Sequence, residues 1–353
     1  MSSTAQNLVD FGRSILRVRL VTGQISTRLD AFSFLIASVL AVTALLLGVI
    51  SLMNGSYPIP LANVLSALLG QGDETIRMIV LEWRLPRVAL ALLLGAALGI
   101  SGAIFQSLTR NPLGSPDIIG FSSGSYTGAL VVIALTSGGY YQTAIGALVG
   151  GIVTAGAVYL FARRKGMQSF RLIIVGIGVS AMLGAVNTWI IREADLQVAM
   201  AAAVWGAGSL NGLGVEQVLL VSICLCVIVP LTFLMSRPMR QLEMGDDIAK
   251  ASGVTTDLAR LGLMVLGVAL TAVVSAAAGP IAFIALAAPQ IARRLTKSST
   301  TGLMTSGLTG AVLLLAADWM AQHAFGVQLP VGTMTVSIGG LYFLWLLVRE
   351  GRK

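Results

Sequence analysis

Arg84 and Arg87 stand three residues apart in the run Glu82-Trp83-Arg84-Leu85-Pro86-Arg87. On a helix that spacing puts both guanidinium groups on one face. The pair either presents positive charge to an acidic partner or anchors the chain by snorkelling to lipid headgroups. A second island, Glu243-Met244-Gly245-Asp246-Asp247-Ile248-Ala249-Lys250-Ala251-Ser252-Gly253, is the longest charged stretch between apolar runs. Asp246 or Asp247 can open a short helix and Gly253 can close it. That makes about two turns, roughly 10 Å of surface helix, where a plain connector would need only a solvated loop. The turn Arg110-Asn111-Pro112-Leu113-Gly114-Ser115-Pro116-Asp117 is shaped by two prolines and a glycine, with Asp117 placed to cap the next helix. In the run Gly279 to Arg294, Pro280 and Pro289 sit inside apolar sequence, the mark of a helix broken at membrane depth.

Other chemistry is excluded by what the chain lacks. It has one histidine, His323, and two cysteines, Cys224 and Cys226, two apart on one apolar span and so not facing each other. They read as packing residues, and no metal site is expected. No G-x-x-x-x-G-K-[ST] stretch is present, so the chain cannot cradle ATP phosphates. Nothing resembles a Ser/His/Asp constellation, and an enzyme is not expected. Asp318 is the only ionisable residue at plausible membrane depth, near the outer end of a helix, where a helix-end or subunit-contact role is the simpler reading.

The elements that position these islands are membrane spans. Nine stretches of 20 or more residues carry no Asp, Glu, Lys or Arg, whereas about 20 apolar residues suffice to cross a bilayer. Charged residues make up 11% of the chain, against roughly 25% in soluble proteins. Folding the stretches 118–162 and 261–292 back on themselves predicts ten helices: 32–53, 86–109, 117–136, 142–162, 171–191, 217–236, 257–278, 280–296, 303–322 and 331–348. The glycine-rich stretch 196–215 is too weak for a span and reads as a short outward-facing or re-entrant segment. With both termini inside, 19 of the 23 Lys and Arg fall on the cytoplasmic side, as the positive-inside rule requires. The same rule explains the net charge of +8 without nucleic acid. Residues 1–30 then form a cytoplasmic arm, and 31–350 a single transmembrane domain with the charged cytoplasmic island around 240–256. Gly95, Gly99 and Gly102 share a face of the second span and allow close helix packing.

These islands, in this order, resemble the FecCD/BtuC-type permeases, the membrane subunits of ABC importers for ferric siderophores and vitamin B12. The likeness covers about residues 30–350. It is strongest to the ferric-enterobactin branch, in Glu82–Arg87, in Ser101-Gly102-Ala103-Ile104-Phe105-Gln106-Ser107-Leu108, in Arg171-Leu172-Ile173-Ile174-Val175-Gly176-Ile177-Gly178 and in Ala207-Gly208-Ser209-Leu210-Asn211-Gly212-Leu213. The resemblance implies an all-α, ten-helix type II importer fold in the cytoplasmic membrane. It implies that Arg84 and Arg87 receive acidic residues of an extracytoplasmic binding protein. It also implies that Glu243, Gly245, Asp246, Asp247, Ile248, Ala249, Lys250 and Gly253 couple to the ATPase, and that Ser169 and Phe170 belong to a cytoplasmic gate. Two departures stand out: Pro289-Gln290 replaces the usual Pro-His, and His323 falls where the vitamin B12 branch has a third docking arginine, making that contact pH-dependent.

The expected function is the permease subunit of an ABC importer for a ferric siderophore, of catecholate type. The expected partners are a second, non-identical permease, two ATPase subunits that carry ATP and Mg²⁺, a binding protein and membrane lipid. This chain itself needs no cofactor. The alternative is an ion-gradient-driven secondary transporter, which would need more buried charge than Asp318 supplies.

Overall fold

The computed structural model describes residues 15–19, 26–117, 120–136, 139–162, 169–298 and 300–350. A short antiparallel hairpin, β1 (Ile15–Arg19) with β2 (Ser26–Asp30), precedes the helices. The helices are α1 (Ala31–Met53), α2 (Leu61–Leu68), α3 (Glu74–Met78), α4 (Leu85–Thr109), α5 (Phe121–Thr136), α6 (Tyr140–Ala162), α7 (Ser169–Glu193), α8 (Leu196–Gly206), α9 (Val215–Leu234), α10 (Ser236–Glu243), α11 (Asp246–Ala251), α12 (Thr256–Ala278), α13 (Ile284–Thr296), α14 (Leu303–His323) and α15 (Val331–Glu350). Among the described residues, seven helical segments are long and apolar enough to cross a membrane. They are Ala31–Met53, Glu74–Thr109, Tyr140–Ala162, Phe170–Glu193, Val215–Leu234, Thr256–Ala278 and Leu303–His323. Helices α5, α13 and α15 occupy the three other stretches expected to be spans.

α4 is the axis of the molecule. Leu90, Leu94, Leu98, Ile104 and Phe105 along it are all buried, and α14, α12, α13 and α9 surround it. The small face read from the sequence is where it packs. A Cβ on Gly95 would stand 2.4 Å from Gly310 O, one on Gly99 2.1 Å from Ser306 O, and one on Gly102 1.7 Å from Ala285 O. The backbones of α13 and α14 therefore lie directly on α4, as small-residue faces permit in lipid. By contrast α1, α6, α7 and α9 turn large apolar side chains outward, Leu45, Leu160, Met182 and Leu234 among them. Such surfaces suit hydrocarbon and would be costly in water.

Three expected boundaries are corrected. The second span does not start at Pro86. Asp73 caps α3, its carboxylate accepting from Thr75 N at 2.8 Å, and the helix runs on to Thr109 through a π-helical turn at Ile79–Arg84. There Leu85 N–H reaches back to Val80 O, and the wider turn accommodates the donor that Pro86 lacks. The eighth expected span begins at Ile284, not residue 280: Gly279 takes φ +75° and Phe283 sits in the left-handed region at φ 68°, so the chain is irregular between them. The third begins at Phe121, and Asp117 does not cap it. Its carboxylate instead accepts the hydroxyls of Ser122 and Ser115.

The stretch 196–215 forms α8 and then a loop. Ser209 N donates to Ala278 O at 2.8 Å and Gly332 N to Gly208 O at 3.0 Å, so the loop closes over the broken helix. The Ala278 carbonyl freed at the break thus finds a partner within the protein, as an interrupted helix at membrane depth requires.

Candidate functional site

Two polar clusters lie at opposite ends of α4. Its 25 residues separate them by about 37 Å at 1.5 Å per residue.

The first cluster gathers at the N-terminal end. Arg84 is half-buried and donates through Nη1 to Leu52 O at 2.7 Å and through Nη2 to Tyr57 O at 2.6 Å. It thereby ties the connection after α1 to the start of α4. Arg87 makes a two-pronged bridge to Asp318 of α14, with Nε–Oδ2 and Nη2–Oδ1 both at 2.8 Å. It also donates through Nη1 to Asn211 Oδ1 in the loop after α8. Gln322 Nε2 adds a third donor to Asp318 at 2.8 Å. The side chains of Arg87 and Asp318 are 14% and 2% exposed. Asp318 is therefore the buried counter-ion of Arg87, a pairing that no sequence spacing announces across 231 positions. His323 lies five residues further along α14, its ring stacked on Trp319 at 5.0 Å and its Nδ1 2.8 Å from Trp319 O. Both arginines already hold partners within the chain. A glutamate in place of Arg87 would face Asp318 with no counter-ion, so reversing this charge carries a cost to the fold.

The second cluster gathers at the other end. α10 buries Met239 and Leu242 and turns into α11 at Gly245, which takes φ +120°. α11 ends in a Schellman motif: Val254 N donates to Ala249 O at 3.0 Å and Gly253 N to Lys250 O at 2.9 Å, with Gly253 at φ +82°. The expected capped helix is present, with one difference. Asp246 does not cap it but accepts from Arg110 at the end of α4 and from Arg260 on α12. Arg110 adopts the left-handed C-cap conformation of α4 and donates through Nε to Leu242 O at 2.9 Å. Burial pushes the Asp246 carboxyl up, but Arg110 and Arg260 overcome it and hold the group below its ordinary 3.8. A depressed carboxylate contributes stability above its unfolded value and loses it only as pH falls through the lower folded value. This cluster therefore stays ionised at physiological pH.

Glu243 accepts from the Thr301 hydroxyl, joining α10 to the start of α14. Gln290 is buried and donates to Pro112 O at 2.7 Å, so its amide fixes the 110–117 turn to α13. Asp247, Ile248 and Lys250 of α11 are exposed, as is Met244 before it, while Ala249 is buried. Ser169 and Phe170 open α7; Phe170 is exposed, and both lie apart in sequence from either cluster. Among the described residues no group of three His, Cys, Asp or Glu could hold a metal, and Cys224 and Cys226 are free thiols on the outer surface of α9.

Comparison with known proteins adds the following. Residues 33–349 match the FecCD transport family. The chain is 50% identical over 321 residues to the ferric enterobactin transport system permease protein FepG of Escherichia coli K12, covering 90% of this chain and 97% of that one. It is 36% identical to the achromobactin transport system permease protein CbrC of Dickeya dadantii, over 92% and 93% of the two chains. Its fold matches a metal-chelate type ABC transporter solved in an inward-facing conformation, with TM-score 0.80 and 26% identity over 89% of this chain and 99% of that one.

Proposed function

Since the chain belongs to the FecCD transport family, we propose that it is the permease subunit of an ABC importer for a ferric siderophore of the catecholate, enterobactin-like type. The observation that carries this is 50% identity across nearly the full length of a ferric enterobactin permease. A ten-span topology with both ends in the cytoplasm is the reading supported by a helix in each of the ten stretches and by the placement of Lys and Arg. A separate ATPase binds and hydrolyses ATP. A related, non-identical permease completes the membrane dimer, and a binding protein delivers the solute from outside. Ser169 and Phe170 serve in the cytoplasmic gate.

The two polar clusters take the two docking tasks. The Arg84/Arg87 end faces the binding protein, with His323 at its margin. The α10–α11 end faces the ATPase, and exposed Met244 and Ile248 give that surface an apolar centre. Radiolabelled ferric siderophores, offered as a panel to a strain lacking the gene, test the substrate. Restored uptake is expected for ferric enterobactin and not for a ferric hydroxamate; the reverse preference would overturn the substrate class.

Two outcomes follow for the docking surfaces. Arg84→Glu is expected to slow binding-protein association about tenfold at low salt, with the difference shrinking as salt screens it. An association rate equal to wild type at every salt concentration would leave Arg84 as a structural tie alone. At the other end, Gly253→Val places a branched residue where φ is +82°, although the space around its Cβ is open. The strain costs about 1–3 kcal/mol and opposes the Schellman closure of α11. Gly245→Pro forbids φ +120° outright. Both variants are expected to insert normally and keep the binding protein, yet lose ATPase stimulation by loaded binding protein or lose the ATPase itself. Wild-type association and stimulated hydrolysis in both, measured in proteoliposomes, would refute a coupling role for α11.

A further inference from the structure

We propose that Asp246 is the positioning residue through which α11 grips the membrane helices, and that the Arg110–Asp246–Arg260 cluster passes movement between α11 and the far end of α4. This rests on the assignment of α11 to the ATPase surface. Helix α11 has only six residues and buries one side chain, Ala249. Its apolar attachment to the bundle is therefore small, and its main packing is on α10 and α12. Asp246 supplies the remaining hold. It accepts from Arg110 at the tip of α4 and from Arg260, a nearly buried guanidinium on α12.

Beside this cluster lies a cavity of about 460 Å³, lined by Gln106, Arg110, Glu243, Gln290, Arg293 and Thr301 among others. The base of α4 is thus not packed solid against its surroundings. A shift of α10–α11 can be taken up there, unless a directed tie carries it across. The cluster is that tie. Arg110 is the C-cap of α4, fixed by its left-handed backbone, and its Nε also holds Leu242 O of α10. α4 is a continuous helix whose other end carries Arg84 and Arg87, so one rod joins the two docking ends. Charge adds direction: one carboxylate holds two guanidinium groups together. Neutralising Asp246 removes the carboxylate shared by the two guanidinium groups and so loosens the tie between the ends of α4 and α12.

The test is a double-mutant cycle on the complete transporter in proteoliposomes, with Asp246→Asn, Asp246→Glu, Arg110→Gln and the Asp246→Asn/Arg110→Gln pair. ATPase association, hydrolysis with and without loaded binding protein, and Tm are measured together. Asp246→Asn is expected to keep ATPase association within about threefold of wild type and to lower stimulated hydrolysis about tenfold. Asp246→Glu is expected to retain most of the stimulation, and the pair to be no worse than the more damaging single variant. Full stimulation in Asp246→Asn would overturn the proposal, as would independent, multiplying effects of the two single variants. A fall in Tm with proportional loss of the ATPase would reduce Asp246 to a structural residue. If Gly253→Val and Gly245→Pro keep wild-type ATPase association and stimulated hydrolysis in the same assay, the assignment of α11 to the ATPase surface fails instead.

Discussion

Gly102→Leu is expected to abolish accumulation of folded protein. Even a Cβ at this position would stand 1.7 Å from Ala285 O and 2.6 Å from its carbonyl carbon. The obstacle is backbone, so no side-chain rotation relieves it, and α4 would have to move off α13. Overpacking in a core commonly costs about 1–3 kcal/mol, and this contact exceeds the case in which a neighbour can yield. A loss above about 3 kcal/mol is a large part of the 5–15 kcal/mol that holds a typical domain together. Gly156→Leu is the matched control. Gly156 also lies inside a long apolar helix, but a Cβ there meets nothing within 4 Å. Membrane-inserted yield and Tm in detergent separate the two. Equal yields would mean that α4 and α13 are not in the contact described.

Asp318→Ala is expected to destabilise the protein by about 3–5 kcal/mol, the usual result of removing one partner from a buried ion pair. The loss leaves the Arg87 guanidinium, 14% exposed, without its two-pronged acceptor. It also strands Gln322 Nε2. Replacing both charges by leucine should recover much of the stability, because the uncompensated charge is then gone. This double variant also tells two roles of Arg87 apart. Should it fold well yet fail to bind the binding protein, Arg87 serves docking as well as structure. If it folds and binds normally, the arginine serves the fold alone. A Tm for Asp318→Ala equal to wild type would contradict the buried bridge.

The membrane architecture was legible because lipid imposes a long-wavelength constraint: a span must stay uncharged for its whole length. Each expected stretch holds a helix for that reason, and among the described residues seven helical segments are long and apolar enough to cross. The boundaries were less legible where proline was taken as a stop. Pro86 sits inside a continuous helical segment because the π-helical turn at Ile79–Arg84 precedes it. Phe283 delays α13 by adopting a left-handed conformation, which sequence disfavours for an aromatic residue. The glycine face of α4 was visible as a spacing of four and three, and its partners, Gly310, Ser306 and Ala285, were not. Site residues followed the same division. The end of the short helix at 246–251 could be read from Gly253, since that closure is local, whereas the expected aspartate cap gave way to Gly245 at the N-cap with no side-chain bond. Its attachment could not, because Arg110 and Arg260 reach Asp246 from 136 and 14 positions away. Asp318 was seen as the lone intramembrane acid, and only the folded chain pairs it with Arg87.

The most direct test of the account is uptake of ferric enterobactin into proteoliposomes holding this chain, its partner permease and the ATPase, with binding protein outside and ATP inside. The account predicts uptake that requires ATP and binding protein and persists when an ionophore collapses the proton gradient. Uptake that survives without ATP and stops with the gradient would contradict it and establish a secondary transporter.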